Sequence, residues 1–178
     1  MPGSITNIAG YRFVDLDDCE RLQAVFESVC QDLGLLGTIL LAPEGMNFFL
    51  AGTPASIEGF VSFLETDDRF TGIPLKRSFT DYQPFNRMNV RLKQEIISVG
   101  IDRIRPVDFT GETIEPKAFK AMLDEGALVH VLDTRNDYEL RLGTFDNAID
   151  LNLETFRAFP EAIQNLPESM KDEPVVMF

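Results

Sequence analysis

The strongest constraint on the fold is the way the hydrophobic period changes along the first 82 residues. Ile5 to Val14 is rich in β-branched and aromatic residues, a composition that favours extended chain. After Asp15, Asp17 and Asp18, each able to cap a helix, the apolar positions Leu22, Val25, Phe26, Val29 and Leu33 return at helical spacing. That spacing predicts a helix, and Gly34 predicts its end. Leu35 to Ala42 reads as a buried strand. Pro43-Glu44-Gly45-Met46-Asn47 predicts a turn, and Phe48 to Ala51 the return strand of a hairpin. Pro54 opens a second helix through Ser56 to Leu64, and Pro74 to Thr80 supplies a fourth strand.

The order βαββαβ is that of the ferredoxin-like split βαβ unit. A further extended segment follows, Met88 to Ile96, in which Met88, Val90, Leu92 and Ile96 alternate with polar residues. Strand side chains alternate faces, so Arg87, Asn89, Arg91 and Lys93 are expected in a row on one side. Residues 1–98 are therefore expected to form a ferredoxin-like domain with an added basic strand, and Gly100 to Pro106 reads as a connector. Beyond it come a helix around Glu115 to Leu123 and a buried strand from Ala127 to Leu132 ending in Asp133-Thr134-Arg135. Asn136 to Arg141 is a short helix or turn, Ala148 to Leu151 a strand, Leu153 to Asn165 a helix, and Pro174 to Phe178 another apolar strand. Alternating helices and strands predict a parallel sheet, which needs cover on both faces. A unit that ends on an apolar strand without a closing helix is expected to be incomplete.

Composition narrows the function classes. The chain of 178 residues is 44% hydrophobic and 25% charged, the balance of an ordinary globular protein. Its longest near-apolar run, Leu35 to Pro43, falls far short of the roughly 20 residues of a membrane helix. The first ten residues, MPGSITNIAG, lack a basic segment before an apolar core, so no secretory leader is expected and the default location is the cytoplasm. Cys19 and Cys30 share one predicted helix about 16 Å apart along its axis, beyond disulfide reach, and are expected to be reduced, semi-buried thiols. Two cysteines and one histidine, His130, make a metal site improbable, and His130 itself is expected to be structural. The net charge of -13 argues against a surface that binds nucleic acid everywhere. Its distribution is uneven, with 8 basic against 13 acidic residues in 1–99 and 8 against 16 in 100–178. Lys76, Arg77, Arg87, Arg91 and Lys93 face only Asp81 in their window.

The segment Val131-Leu132-Asp133-Thr134-Arg135-Asn136-Asp137-Tyr138-Glu139, followed by Gly143 to Ile149, resembles the first half of a rhodanese domain. Thr144 stands where that family usually has His, and Asn147 where Gly is common. Those departures, with Leu41 to Asn47, Pro84 to Ile96 and Glu154 to Pro160, are similar to one branch, the rhodanese-domain tRNA uridine hydroxylases. The resemblance runs from about Tyr11 to Phe178. It implies an α/β fold, an α+β ferredoxin-like domain followed by an incomplete rhodanese-like parallel-sheet domain over 99–178. It also implies formation of 5-hydroxyuridine at the wobble position of tRNA, with molecular oxygen as co-substrate and no identifiable further cofactor. The family's essential cysteine lies in the loop after the strand equivalent to Pro174 to Phe178, so no catalytic residue is expected within these 178 residues, and the chain alone is expected to be inactive. A rhodanese loop surrounds its cysteine with backbone N–H groups, which lowers the thiol pKa.

Candidate residues follow from position. Asp133 and Arg135 lie at the carboxyl end of a strand in an open α/β sheet, where sites form, and with Glu139 they are expected to border the cysteine loop. A structural ion pair is the simpler role for Asp133 and Arg135, and Glu139 is expected to partner Arg135. Arg87, Arg91 and Lys93 are candidates for phosphates of the anticodon region, and Asn47 for a base or phosphate. The 15 Phe residues fall mostly at core spacing and predict no base-stacking platform, Tyr82 and Phe85 beside the basic row being the exceptions. Two alternatives remain open: a sulfurtransferase carrying a cysteine persulfide, which needs the same cysteine, and a non-catalytic binding module. Acylphosphatase activity is discounted, because the loop after the first strand, Val14 to Asp18, is acidic where that chemistry needs an arginine.

Overall fold

The computed structural model describes residues 4–96, 107–108 and 111–178. The connector Gly100 to Pro106 and the expected boundary at 98/99 lie outside the described residues. The chain divides into two compact units.

The first unit contains β1 (Ile5–Phe13), α1 (Cys19–Asp32), β2 (Leu36–Ala42), β3 (Gly45–Gly52), α2 (Pro54–Leu64), β4 (Lys76–Thr80) and β5 (Met88–Leu92). The strands form one sheet in the order β4-β1-β3-β2-β5, antiparallel except for β5, which joins β2 in parallel. This is the ferredoxin-like arrangement with one strand added at the β2 edge. The start of α2 is fixed by Thr53, whose hydroxyl accepts from the Ser56 N–H at 3.1 Å. At α1 the Asp18 side chain makes no cap hydrogen bond; it is held by Arg21 and by Arg69 at 2.7 Å. Both helices cover one face of the sheet. Leu22, Phe26 and Cys30 from α1 and Ile57, Phe60 and Leu64 from α2 close over Ile8, Ile39, Met46, Phe48 and Leu50.

Two expectations need correction here. The hairpin turn is only Pro43-Glu44, and Asn47 lies within β3 rather than in the turn. Gly45 is the reason: at φ 142° it pairs with Phe13 so closely that a Cβ would sit 2.0 Å from the Arg12 carbonyl oxygen. Only glycine lets the β1–β3 ladder start there. The basic strand is also shorter than its alternation suggests. Its last ladder pair is Leu41↔Leu92, because β2 ends one residue later. Lys93 keeps one backbone bond to Leu41 at 2.8 Å, Arg87 precedes the strand, and Leu92 is 40% exposed. Ile96 is buried off the ladder, its N–H donating to the Glu44 carboxylate at 2.6 Å.

The second unit contains α3 (Pro116–Asp124), β6 (His130–Asp133), α4 (Asp137–Leu140), β7 (Ile149–Asp150), α5 (Phe159–Ala162) and β8 (Val175–Met177). The strands are parallel in the order β7-β6-β8. The predicted strand from Ala127 begins only at His130, where pairing with Val175 starts, and Leu128 is 79% exposed. The predicted helix over Leu153 to Asn165 is broken into 3-10 turns on either side of α5. Pro160 cannot donate to a preceding carbonyl, and Leu153 is drawn into a parallel bridge with Asn136. His130 is half-buried, its Nε2 against the Glu173 carboxylate. Both cysteines are free: Cys30 is fully buried, which pushes its thiol up to about 12, and the thiol of Cys19 is also raised by burial. Among the described residues no helix is long and apolar enough to cross a membrane.

Candidate functional site

In the second unit the carboxyl end of β6 organises a compact polar cluster. Asp133, 1% exposed, sits where the strand ends, and its two oxygens are fully engaged. Oδ1 accepts from the Arg135 backbone N–H at 3.1 Å and from its Nε at 3.0 Å. Oδ2 accepts from Arg135 Nη2 at 2.6 Å and from the Thr144 hydroxyl at 2.7 Å. The Arg135 guanidinium beside it holds the Asp133 carboxyl down to about 2, and Asp133 in turn raises Arg135. Arg135 also donates to the Gly143 carbonyl at 2.8 Å and lies over the Phe178 ring, 5.1 Å from its centroid. Phe178 is held in place because its carbonyl accepts from the Thr134 N–H and hydroxyl at 3.0 and 2.8 Å. A chain of rings, Phe178, Phe145 and Phe119, backs the cluster edge to face. The arrangement fixes a guanidinium at the mouth of the parallel sheet, with one face stacked and three of its N–H bonds engaged.

Glu139 does not partner Arg135 directly. Its carboxylate accepts from the Asn136 backbone N–H at 3.2 Å and from Asn136 Nδ2 at 3.3 Å, closing the capping box that starts α4. The sequence shows this pattern, Asn136 three residues before Glu139, without the family resemblance. Thr144 and Phe178 were not among the expected site residues. Thr144 stood out only as a departure from the usual His, and its contact with Asp133 explains what that position does. The other departure has a backbone cause. Asn147 has φ 62°, the left-handed region where Gly is the easiest residue and Asn the next.

In the first unit the expected basic residues occupy the β5 edge. Arg91 lies within β5, Arg87 just before it and Lys93 just after, all exposed. Among the described residues no carboxylate lies within ion-pair distance of any of the three, whereas Arg77 on β4 pairs with Glu58. Asn47 is exposed on β3, and the register aligns it with Tyr11, Leu40 and Arg91 across four strands. Of the two aromatic candidates, Phe85 packs edge to face on Phe49 at 5.1 Å and Tyr82 is exposed. Among the described residues no cluster of three His, Cys, Asp or Glu side chains could hold a metal ion.

Residues 5–96 match a family described as the UPF0176 acylphosphatase like domain, which defines the class of the first unit and agrees with its ferredoxin-like sheet. The likeness is one of fold. Over 98% of its length the chain is 46% identical to the tRNA uridine(34) hydroxylase of Cupriavidus pinatubonensis, covering 64% of that protein. It is 44% identical to the tRNA uridine(34) hydroxylase of Cupriavidus necator over the same shares. With the protein of that name from Thiobacillus denitrificans it shares 44% identity, covering 98% of this chain and 73% of that one. The chain belongs to the tRNA uridine(34) hydroxylase family. It spans 64% of the length of the Cupriavidus relatives. Among solved structures, the dark state of BlrB, a BLUF protein, overlays with a TM-score of 0.44 at 13% identity, over 52% of this chain and 74% of that one.

Proposed function

We propose that this protein hydroxylates uridine 34 of tRNA, forming 5-hydroxyuridine at the wobble position with molecular oxygen as co-substrate, in the cytoplasm. The observation that carries this reading is 46% identity over 98% of the chain to a tRNA uridine(34) hydroxylase. In this reading residues 1–98 are a ferredoxin-like domain that holds the anticodon arm through Arg87, Arg91, Lys93 and Asn47. Residues 99–178 are the first half of a rhodanese-like domain, with Asp133, Arg135 and Glu139 bordering a cysteine-bearing loop encoded beyond Phe178. With one guanidinium face over Phe178 and its Nη2 bound to both Asp133 and Gly143, Arg135 is held rigidly at that border, where its remaining N–H groups suit an anionic thiolate or phosphate.

Mass spectrometry of tRNA from a strain lacking the gene tests the reaction. Loss of 5-hydroxyuridine and its derivatives at position 34 is the expected result; retained hydroxylation with loss of a thiolated nucleoside would replace this reading with the sulfurtransferase. For the binding surface, Arg87→Ala and Arg91→Ala in the full-length protein are each expected to weaken tRNA binding and reduce the salt slope of log K by about one. Parent-like affinity and slope in both variants would remove these residues from the interface.

A further inference from the structure

The five-stranded sheet has two unlike faces. One is sealed by α1 and α2; the other carries no helix among the described residues of this unit. On the helix-free face, one row across the strands reads Tyr11, Asn47, Leu40, Arg91, and the next reads Lys76, Ala9, Phe49, Thr38, Asn89. Tyr11 on β1 is 58% exposed and Phe49 on β3 is 48% exposed, large values for aromatic residues on two interior strands of a sheet. Diagonal neighbours of this kind stand about 7–8 Å apart. Each ring has one aromatic neighbour among the described residues, Phe13 for Tyr11 at 5.7 Å and Phe85 for Phe49 at 5.1 Å, both edge to face. Such contacts steady a ring while leaving part of its surface open. Asn47 lies directly across from Tyr11 and two residues along from Phe49, with an amide that can both donate and accept.

The charges on this face fix the kind of occupant. Lys76 stands at one edge and Arg91 at the other, and among the described residues neither has a carboxylate within ion-pair distance, in a chain of net charge -13. Arg77, which follows Lys76 and faces the helix side, is paired with Glu58. Cations left unpaired on both sides of exposed aromatic rings match a ligand made of flat bases joined by phosphates. An apolar peptide would use the rings and leave both charges without a purpose. Duplex RNA would use the charges and offer no free base face.

We propose that the helix-free face binds unpaired RNA, with successive bases stacked on Tyr11 and Phe49, Asn47 reading a base edge between them, and Lys76 and Arg91 taking the flanking phosphates. This deepens the tRNA reading above by naming where the unpaired nucleotides lie, and it rests on that reading only for the identity of the RNA. The test uses the full-length protein and a single-stranded ten-nucleotide oligouridylate. Stacked bases are sequence-tolerant, so a short unstructured strand suffices as probe.

Binding is read as the rise in fluorescence anisotropy of an end-labelled oligouridylate on addition of the protein. Tyr11→Ala and Phe49→Leu are each expected to weaken the oligonucleotide about tenfold, while Tyr11→Phe binds as the parent does. Phe49→Leu keeps an apolar contact for Phe85, so lost binding there is not lost folding. Lys76→Ala is expected to lower the salt slope by about 0.7. Parent-like affinity in both ring variants, or capture of a duplex of equal length with the same dependence on Tyr11, overturns the proposal. If tRNA from the deletion strain keeps its hydroxyuridine while the ring variants lose the oligonucleotide, the reaction assigned above fails and the platform stands. The reverse pair of results sinks the platform alone.

Discussion

Phe26→Ala is expected to destabilise the first unit by about 4 kcal/mol, the largest single effect among its side chains. Phe26 has no exposed surface and sits where both helices meet the sheet, with the rings of Phe60, Phe63 and Phe70 at 5.6 to 6.1 Å. Truncation removes the apolar area itself and leaves a space walled by three rigid rings that cannot collapse into it. The edge-to-face contacts add a further loss beyond burial. Urea denaturation followed by circular dichroism is expected to show a midpoint far below the parent's with an unchanged slope. A loss under about 1.5 kcal/mol would mean that the ring cluster is looser than its geometry indicates. Phe49→Ala gives the internal contrast, because a half-exposed ring on the helix-free face leaves no closed cavity.

The second large effect concerns Asp133. Its carboxylate is buried and satisfies four donors, three from Arg135 and one from Thr144. Asp133→Ala is expected to destabilise the second unit by about 2–3 kcal/mol, because the guanidinium and the Thr144 hydroxyl lose their acceptor together. The pH dependence has a definite sign. Asp133 is held at about 2 in the folded protein, below the ordinary carboxylate value near 4. Its contribution is therefore fully present above about pH 4 and is lost as pH falls toward 2. The parent is expected to lose stability across that window more steeply than Asp133→Ala, as read by thermal melts at fixed ionic strength. Asp18, also held at about 2 by Arg69, acts in the same direction and is common to both proteins. Equal slopes in parent and variant would show that the cluster contributes nothing to folding.

The first unit was legible because its signals are local and agree with one another. Gly34 at φ 63° stops α1, Pro54 starts α2, and the apolar spacing of Leu22 and Phe26 marks the buried face. What the sequence concealed was set by neighbours in space. Asn47 reads as a turn residue beside Gly45, and only the approach of β1 shows that the ladder has already begun there. The Met88 to Ile96 alternation continues beyond Leu92, but β2 ends and the pairing stops with it. The helix-free aromatic face was missed for a related reason. Tyr11 and Phe49 are 38 residues apart in the chain, and strand alternation alone does not tell which face of a sheet the helices will cover. In the second unit Asp133 and Arg135 could be placed at a strand end from sequence, whereas Thr144 and Phe178 join them only through folding.

The parallel docking of β5 on β2 also governs how this sheet meets other chains. Without β5, β2 would present the unpaired backbone groups of Leu36 to Ala42 at a sheet edge, beside one of the most apolar stretches in the protein. Such an edge invites a strand from a second molecule, as in domain swapping or fibril growth. The same five residues that carry Arg91 therefore also act as a guard strand. Their placement ties the solubility of the ferredoxin-like unit to the segment that presents Arg91.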